Sequence, residues 1–244
     1  MLKYLTAALL TALAMSLPAK AVTINVGDVG ASGTTQLQGY VDVNGNAVSI
    51  PGLTGSLFLE YDGVTNGGLT WNFDYTVTNT QSGSVTASRI TSFGLSTTPT
   101  LSGATSTGLF DYAILNPSFP NVQGPVVSGG AIEVCFSSAN GGCSGGTGLL
   151  AGEFASGEFT LTFNQAFSMI SLDAAFLRFQ SIDGSSYGFQ GASGVGFNVN
   201  DLVITPAAVP LPAVGTGLPA LIAGMIGLAA LARKRRQRRE ALQV

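Results

Sequence analysis

From Leu69 to Val77 the chain alternates apolar and polar residues without a break. Leu69, Trp71, Phe73, Tyr75 and Val77 interleave with Thr70, Asn72, Asp74 and Thr76. A period of two puts all five large side chains on one face of a strand, which predicts a core for Trp71. Residues 56–61 read as its neighbour, reached through Asp62-Gly63 and Asn66-Gly67-Gly68, which supply turn residues. Phe159, Leu161 and Phe163 alternate with Thr160 and Thr162. Phe197, Val199, Leu202 and Ile204 outline a last strand or pair with a step near Asn200-Asp201. Further strands are expected at 23–26, 38–43, 85–95, 131–136 and 169–179. The last also fits helical spacing through Phe163, Phe167 and Ile170; the turn residues Asp183-Gly184-Ser185 that follow favour a strand. Residues 98–130, with Pro99, Pro117, Pro120 and Pro125, read as a long surface connection.

Both ends of the chain break this pattern. Residues 5–17 form an apolar run behind Lys3, and Ala19-Lys20-Ala21 matches a small-x-small cleavage site. This predicts a secretory signal peptide over 1–21, with the cut between Ala21 and Val22. At the far end, residues 218–232 carry no charge and are followed at once by Arg233, Lys234, Arg235, Arg236, Arg238 and Arg239. Cations beside an apolar span stay on the cytoplasmic side, so the six act as a basic stop-transfer signal. Fifteen residues reach about 22 Å as a helix, short of a ~30 Å hydrocarbon core. Pro219 suits the first helical turn, and the stretch ahead of it, rich in Pro and Gly, reads as an extended lead-in. A single transmembrane helix is therefore expected at about 218–232.

Removing both ends leaves residues 22–208, a length suited to one domain with a sizeable core. Composition changes the picture here. The body holds 29 of the 33 glycines, which oppose long helices and suit short strands joined by turns. Abundant Phe, Val, Leu and Ile argue against disorder. The body keeps two cations, Arg89 and Arg178, against 12 acids, hence a net charge of −10. A basic patch for nucleic acid is absent. The fold class expected is all-β: an antiparallel, jelly-roll-like β-sandwich flanked by the signal peptide and the transmembrane helix.

The segment before the apolar helix reads Val209-Pro210-Leu211-Pro212-Ala213. This pentapeptide, a short apolar helix and an Arg-rich end resemble the VPLPA variant of the PEP-CTERM sorting signal. The resemblance covers residues 209–244 and carries no activity for the rest of the chain. It implies export through the Sec machinery across the inner membrane of a Gram-negative bacterium. It further implies recognition and cleavage of the tail by an exosortase, a membrane-embedded cysteine protease. The body would then reside in the cell envelope, at the outer surface or in the extracellular matrix, where members of the family associate with exopolysaccharide and biofilm. Residues 178–185 also resemble the late strand and turn of PEP-CTERM bodies.

The two cysteines, Cys135 and Cys143, both lie in the exported body. An oxidising compartment favours their pairing, and the loop Phe136-Ser137-Ser138-Ala139-Asn140-Gly141-Gly142 turns back easily. Closing it would stabilise the fold by roughly 2–3 kcal/mol. The loop is similar to that of the cistern-type PEP-CTERM subfamily. With no Cys-x-x-Cys and no histidine, a redox or metal pair is the poorer reading.

The chain has no histidine and the body no lysine. These absences exclude Ser-His-Asp and Cys-His catalysis, His-ligated metals, and Ser-Lys or Schiff-base chemistry. Carboxylates remain: Glu60, Asp62, Asp74, Glu133, Glu153, Glu158 and Asp173, none paired by the sequence. Arg178 is expected to pair with an acid at a sheet edge. No cofactor is expected; a structural calcium ion near Asp42-Val43-Asn44-Gly45-Asn46 or Asn198-Val199-Asn200-Asp201 is the one alternative kept open. The expected role is a non-enzymatic envelope or matrix protein. Alternatives are a carbohydrate-binding module or adhesin, with Trp71, Tyr61 or Tyr187 stacking on sugar, and a carboxylate-dependent glycosidase.

Overall fold

The computed structural model describes residues 21–43, 46–117, 132–143, 145–184, 189–198 and 204–205. Among them are twelve strands, two single-turn 3-10 helices and no α-helix. The strands are β1 (Val22–Asn25), β2 (Ser32–Val43), β3 (Asn46–Thr65), β4 (Thr70–Asn79), β5 (Val85–Thr98) and β6 (Gly103–Ser106). They continue with β7 (Tyr112–Leu115), β8 (Val134–Ser137), β9 (Leu149–Leu150), β10 (Phe154–Thr162), β11 (Met169–Gly184) and β12 (Phe189–Asn198). All pair antiparallel, as the sequence pattern implies.

One sheet contains them, in the order β6-β10-β4-β3-β2-β12-β11-β5-β8-β7, with β1 added to β11 and β9 to β5. Its halves face each other across the core, but they belong to one curled sheet and not to the two separate sheets expected of a sandwich. The ladder runs unbroken between them, because β2 pairs with β3 along one side and with β12 along the other. Register shifts in β3 and β11 let these long strands bend. The sheet curls until its end strands, β6 and β7, lie against each other, so it is nearly closed as a barrel.

The core follows the alternation. Trp71, Phe73, Tyr75 and Val77 of β4 are fully buried, and Leu69 stands just ahead of the strand. Tyr61 stacks on Trp71 at 5.2 Å, and Phe73 on Phe159 at 5.0 Å. Phe93 lies 4.8 Å from Tyr75 and 4.9 Å from Phe136, joining the two halves through aromatic rings. The Tyr75 hydroxyl donates to the Thr107 carbonyl at 2.7 Å. Gly157 leaves room for this contact: a Cβ there would sit 2.8 Å from the hydroxyl oxygen.

One further expectation needs correction. Residues 98–130 are not merely a surface connection: they contribute β6, β7 and the 3-10 turn Gly108–Phe110. Phe110 is fully buried, with its ring 5.6 Å from Phe93. The signal was missed because Gly-Ala-Thr-Ser in β6 has no large side chain to alternate. Residues 169–179 form a strand, which runs on to Gly184. No helix among the described residues is long and apolar enough to cross a membrane; the span expected at 218–232 lies outside them.

Candidate functional site

Cross-strand register brings three of the candidate carboxylates into one row. Glu60 of β3 stands opposite Asp74 of β4, and Asp74 opposite Glu158 of β10. Their neighbours Tyr61, Phe73 and Phe159 point into the core, so the row faces outward. Asp62 joins them from the exposed bend where β3 slips register. Its carboxyl is held above the usual carboxylate value by partial burial, then by the charges of Asp74, Glu60 and Glu158. Like charges placed directly opposite destabilise a sheet, and neither cation of the body stands on these strands.

The chemistry open to this row is narrow. A glycosidase sets two carboxyls on opposite sides of a bound sugar. Glu60, Asp74 and Glu158 instead stand side by side on one sheet face. Among the described residues no three acidic side chains form a group that would hold a metal ion. The other candidates lie apart and have local partners. Glu133 accepts the Thr97 hydroxyl, Glu153 accepts the Leu150 amide at 2.7 Å, and Asp173 accepts the Thr98 hydroxyl at 2.7 Å.

Cys135 and Cys143 form a disulfide, with Cα atoms 6.1 Å apart. Cys135 is on β8 beside Phe136, whose ring fills the core, so the bridge lies on the outward side. The loop closes over β5, where the Ser92 hydroxyl donates to the Cys143 carbonyl at 2.9 Å.

Arg178 is not at a sheet edge, and it has no acid partner among the described residues. It sits in the middle of β11, between Ser92 of β5 and Val195 of β12. It is only 4% exposed, and its Nε and Nη1 are closed off without an acceptor. Burial pulls its guanidinium below the ordinary arginine value. Arg89 of β5, opposite Gln180, likewise has its Nε buried without a partner. The only sequence signal for this pair is that the body has two cations; that both reach one face follows from register.

Trp71 and Tyr61, proposed as sugar platforms, are core residues. Val22 opens β1 opposite Leu172, one residue after Ala21. Of the first calcium candidate, Asp42 and Val43 end β2 and Asn46 opens β3; Asn44, Gly45, Val199, Asn200 and Asp201 lie outside the described residues, as do Tyr187, the motif Val209–Ala213 and the cations from Arg233 to Arg239. No protein-family model, curated protein or solved structure matches the chain.

Proposed function

We propose that this chain is a non-enzymatic exported protein, sorted through its C-terminal signal to the envelope, outer surface or matrix of a Gram-negative bacterium. The observation that carries the reading is the order of parts in the tail. Val209-Pro210-Leu211-Pro212-Ala213 precedes an uncharged run, and six cations close it. In this reading the run at 218–232 is a transmembrane helix that holds the chain in the inner membrane until an exosortase cuts near the pentapeptide. The body is then a jelly-roll-like β domain carried to exopolysaccharide.

Two features of the body support it. The Cys135–Cys143 disulfide suits an oxidising compartment. The first strand begins at Val22, so a cut after Ala21 leaves the sheet whole. Stiff prolines in the pentapeptide present an extended backbone to a protease. Replacing Pro210 and Pro212 together with Ala should therefore leave an uncut, inner-membrane form, seen by intact mass and fractionation. Cleavage of that double variant at the wild-type rate would overturn the reading.

A further inference from the structure

Among the described residues six large apolar side chains are exposed: Val26, Val29, Tyr112, Leu150, Phe154 and Met169. Three of them gather at one end of the sheet. Asn25 pairs with Met169 across β1 and β11, and the Val26 amide donates to the Ser168 carbonyl at 3.0 Å. Val29 follows in the same loop and lies over Gly63, where a Cβ would meet its side chain at 3.4 Å. The loop is pinned. The Tyr61 hydroxyl donates to the Val26 carbonyl at 3.3 Å, and the Gly30 amide to the Tyr61 carbonyl at 2.7 Å. On this fixed frame Val29 is 55% exposed and Met169 53%. Residues 65–69, 99–102 and 163–168 complete the rim: the Phe163 amide donates to the Leu69 carbonyl at 2.9 Å, and the Ser102 amide to the Thr162 carbonyl at 2.8 Å. Together with residues 26–31 they hold one charged residue, Asp28. Its carboxylate is turned to the backbone and side-chain amides of Asn25, at 2.8 and 2.9 Å.

The chain leaves the sheet at the same end. The Thr205 amide donates to the Ser32 carbonyl at 2.9 Å and the Ser32 amide to the Thr205 carbonyl at 3.0 Å, directly after the 26–31 loop. Residues 206–217 separate Thr205 from the uncharged run at 218–232, and fully extended they span at most about 45 Å. Single apolar side chains are ordinary on a surface. Three on one rim with a single, satisfied charge, beside the exit toward an apolar span, fit a lipid interface. We propose that this rim seats on the membrane surface that holds the tail, with Val26, Val29 and Met169 entering the head-group boundary. The tether supplies the effective concentration that lets so small a contact form. Cutting the tail removes that help, so the body then lets go. The contact is apolar: the rim has no lysine or arginine and the body is net −10, so anionic lipid does not strengthen it. The inference rests on the reading of 218–232 as a transmembrane helix.

Methionine methyls separate the reading from the inference, because Met225 lies in the uncharged run and Met169 on the rim. The full chain, labelled with 13C-methyl methionine, is placed in phosphatidylcholine nanodiscs, and Met169→Leu and Met225→Leu assign the two resonances. Lipid spin-labelled in its acyl chain should broaden Met225, and lipid spin-labelled at its head group should broaden Met169. Changing Val26→Ser and Val29→Ser together should weaken the Met169 effect severalfold. Val29→Ser alone, at the more exposed position, serves where the double variant does not fold. Phe154→Ser removes a side chain 69% exposed at the far end of β4, opposite Thr78, and should change nothing. Broadening of Met225 without Met169 would overturn the inference and leave the sorting reading standing. Broadening of neither would remove the span and the inference with it. A Met169 effect that ignores both valine changes, or that appears only with phosphatidylglycerol, would also overturn it. Shielding of Met169 from a soluble gadolinium chelate without any effect of labelled lipid would assign the rim to a second copy instead.

Discussion

Asp62 registers the crowding of its neighbours in a single proton. Its folded-state pKa lies above the ordinary carboxylate value, through burial first and then through Asp74, Glu60 and Glu158. Between those two values the folded chain keeps a proton that the unfolded chain has released. Stability therefore falls as pH rises through the carboxylate range. Asp62→Asn should raise the melting temperature at pH 7 and leave it unchanged at pH 3, read from thermal melts across that range. Tyr61 behaves similarly at the alkaline end. Burial, with help from Asp28, pushes its phenol up to about 12, so stability falls again as pH rises from 10 toward that value. The identity of these groups was legible in the sequence. Their company was not, since Glu60, Asp74 and Glu158 meet only through the register of three strands. The same holds for Arg178: one of two cations among 12 acids suggests an ion pair, yet pairing needs an acid on the same face.

At the scale of elements, legibility tracked side-chain size. β4 was plain because five large residues alternate over nine positions, and burial of Trp71, Phe73, Tyr75 and Val77 enforces that period. β10 was visible for the same reason, whereas β11, whose apolar spacing also fits a helix, is marked as a strand by the turn residues that follow it. β6 and β7 were hidden: each is four residues long, and neither carries the alternation that a deep core imposes. The turn between them holds Phe110, fully buried against Phe93 and Tyr75. If this connection belongs to the core, Phe110→Ala should cost about 3–5 kcal/mol in urea denaturation, as for other buried aromatics. A loss below about 1 kcal/mol would return the segment to the surface, where substitutions cost little.

For the whole molecule, composition decided the class and topology decided the shape. Glycine, few charges and period-two runs pointed to an all-β body. Nothing in them showed that β2 would serve two partners and roll the halves into one sheet. This topology predicts where the fold opens. Hydrogen exchange should be slowest along the β2–β12 ladder, which is flanked by strands on both sides, and fastest at β6 and β7, each bonded along one side only. Equal protection at both places would contradict it. The meeting of β6 with β7 has one more consequence. Free strand borders invite other copies to add on, and long flat ones seed fibres. Here the two borders are four residues each and turned toward one another. They offer little template to a second molecule, so the nearly closed sheet guards itself against edge-to-edge growth.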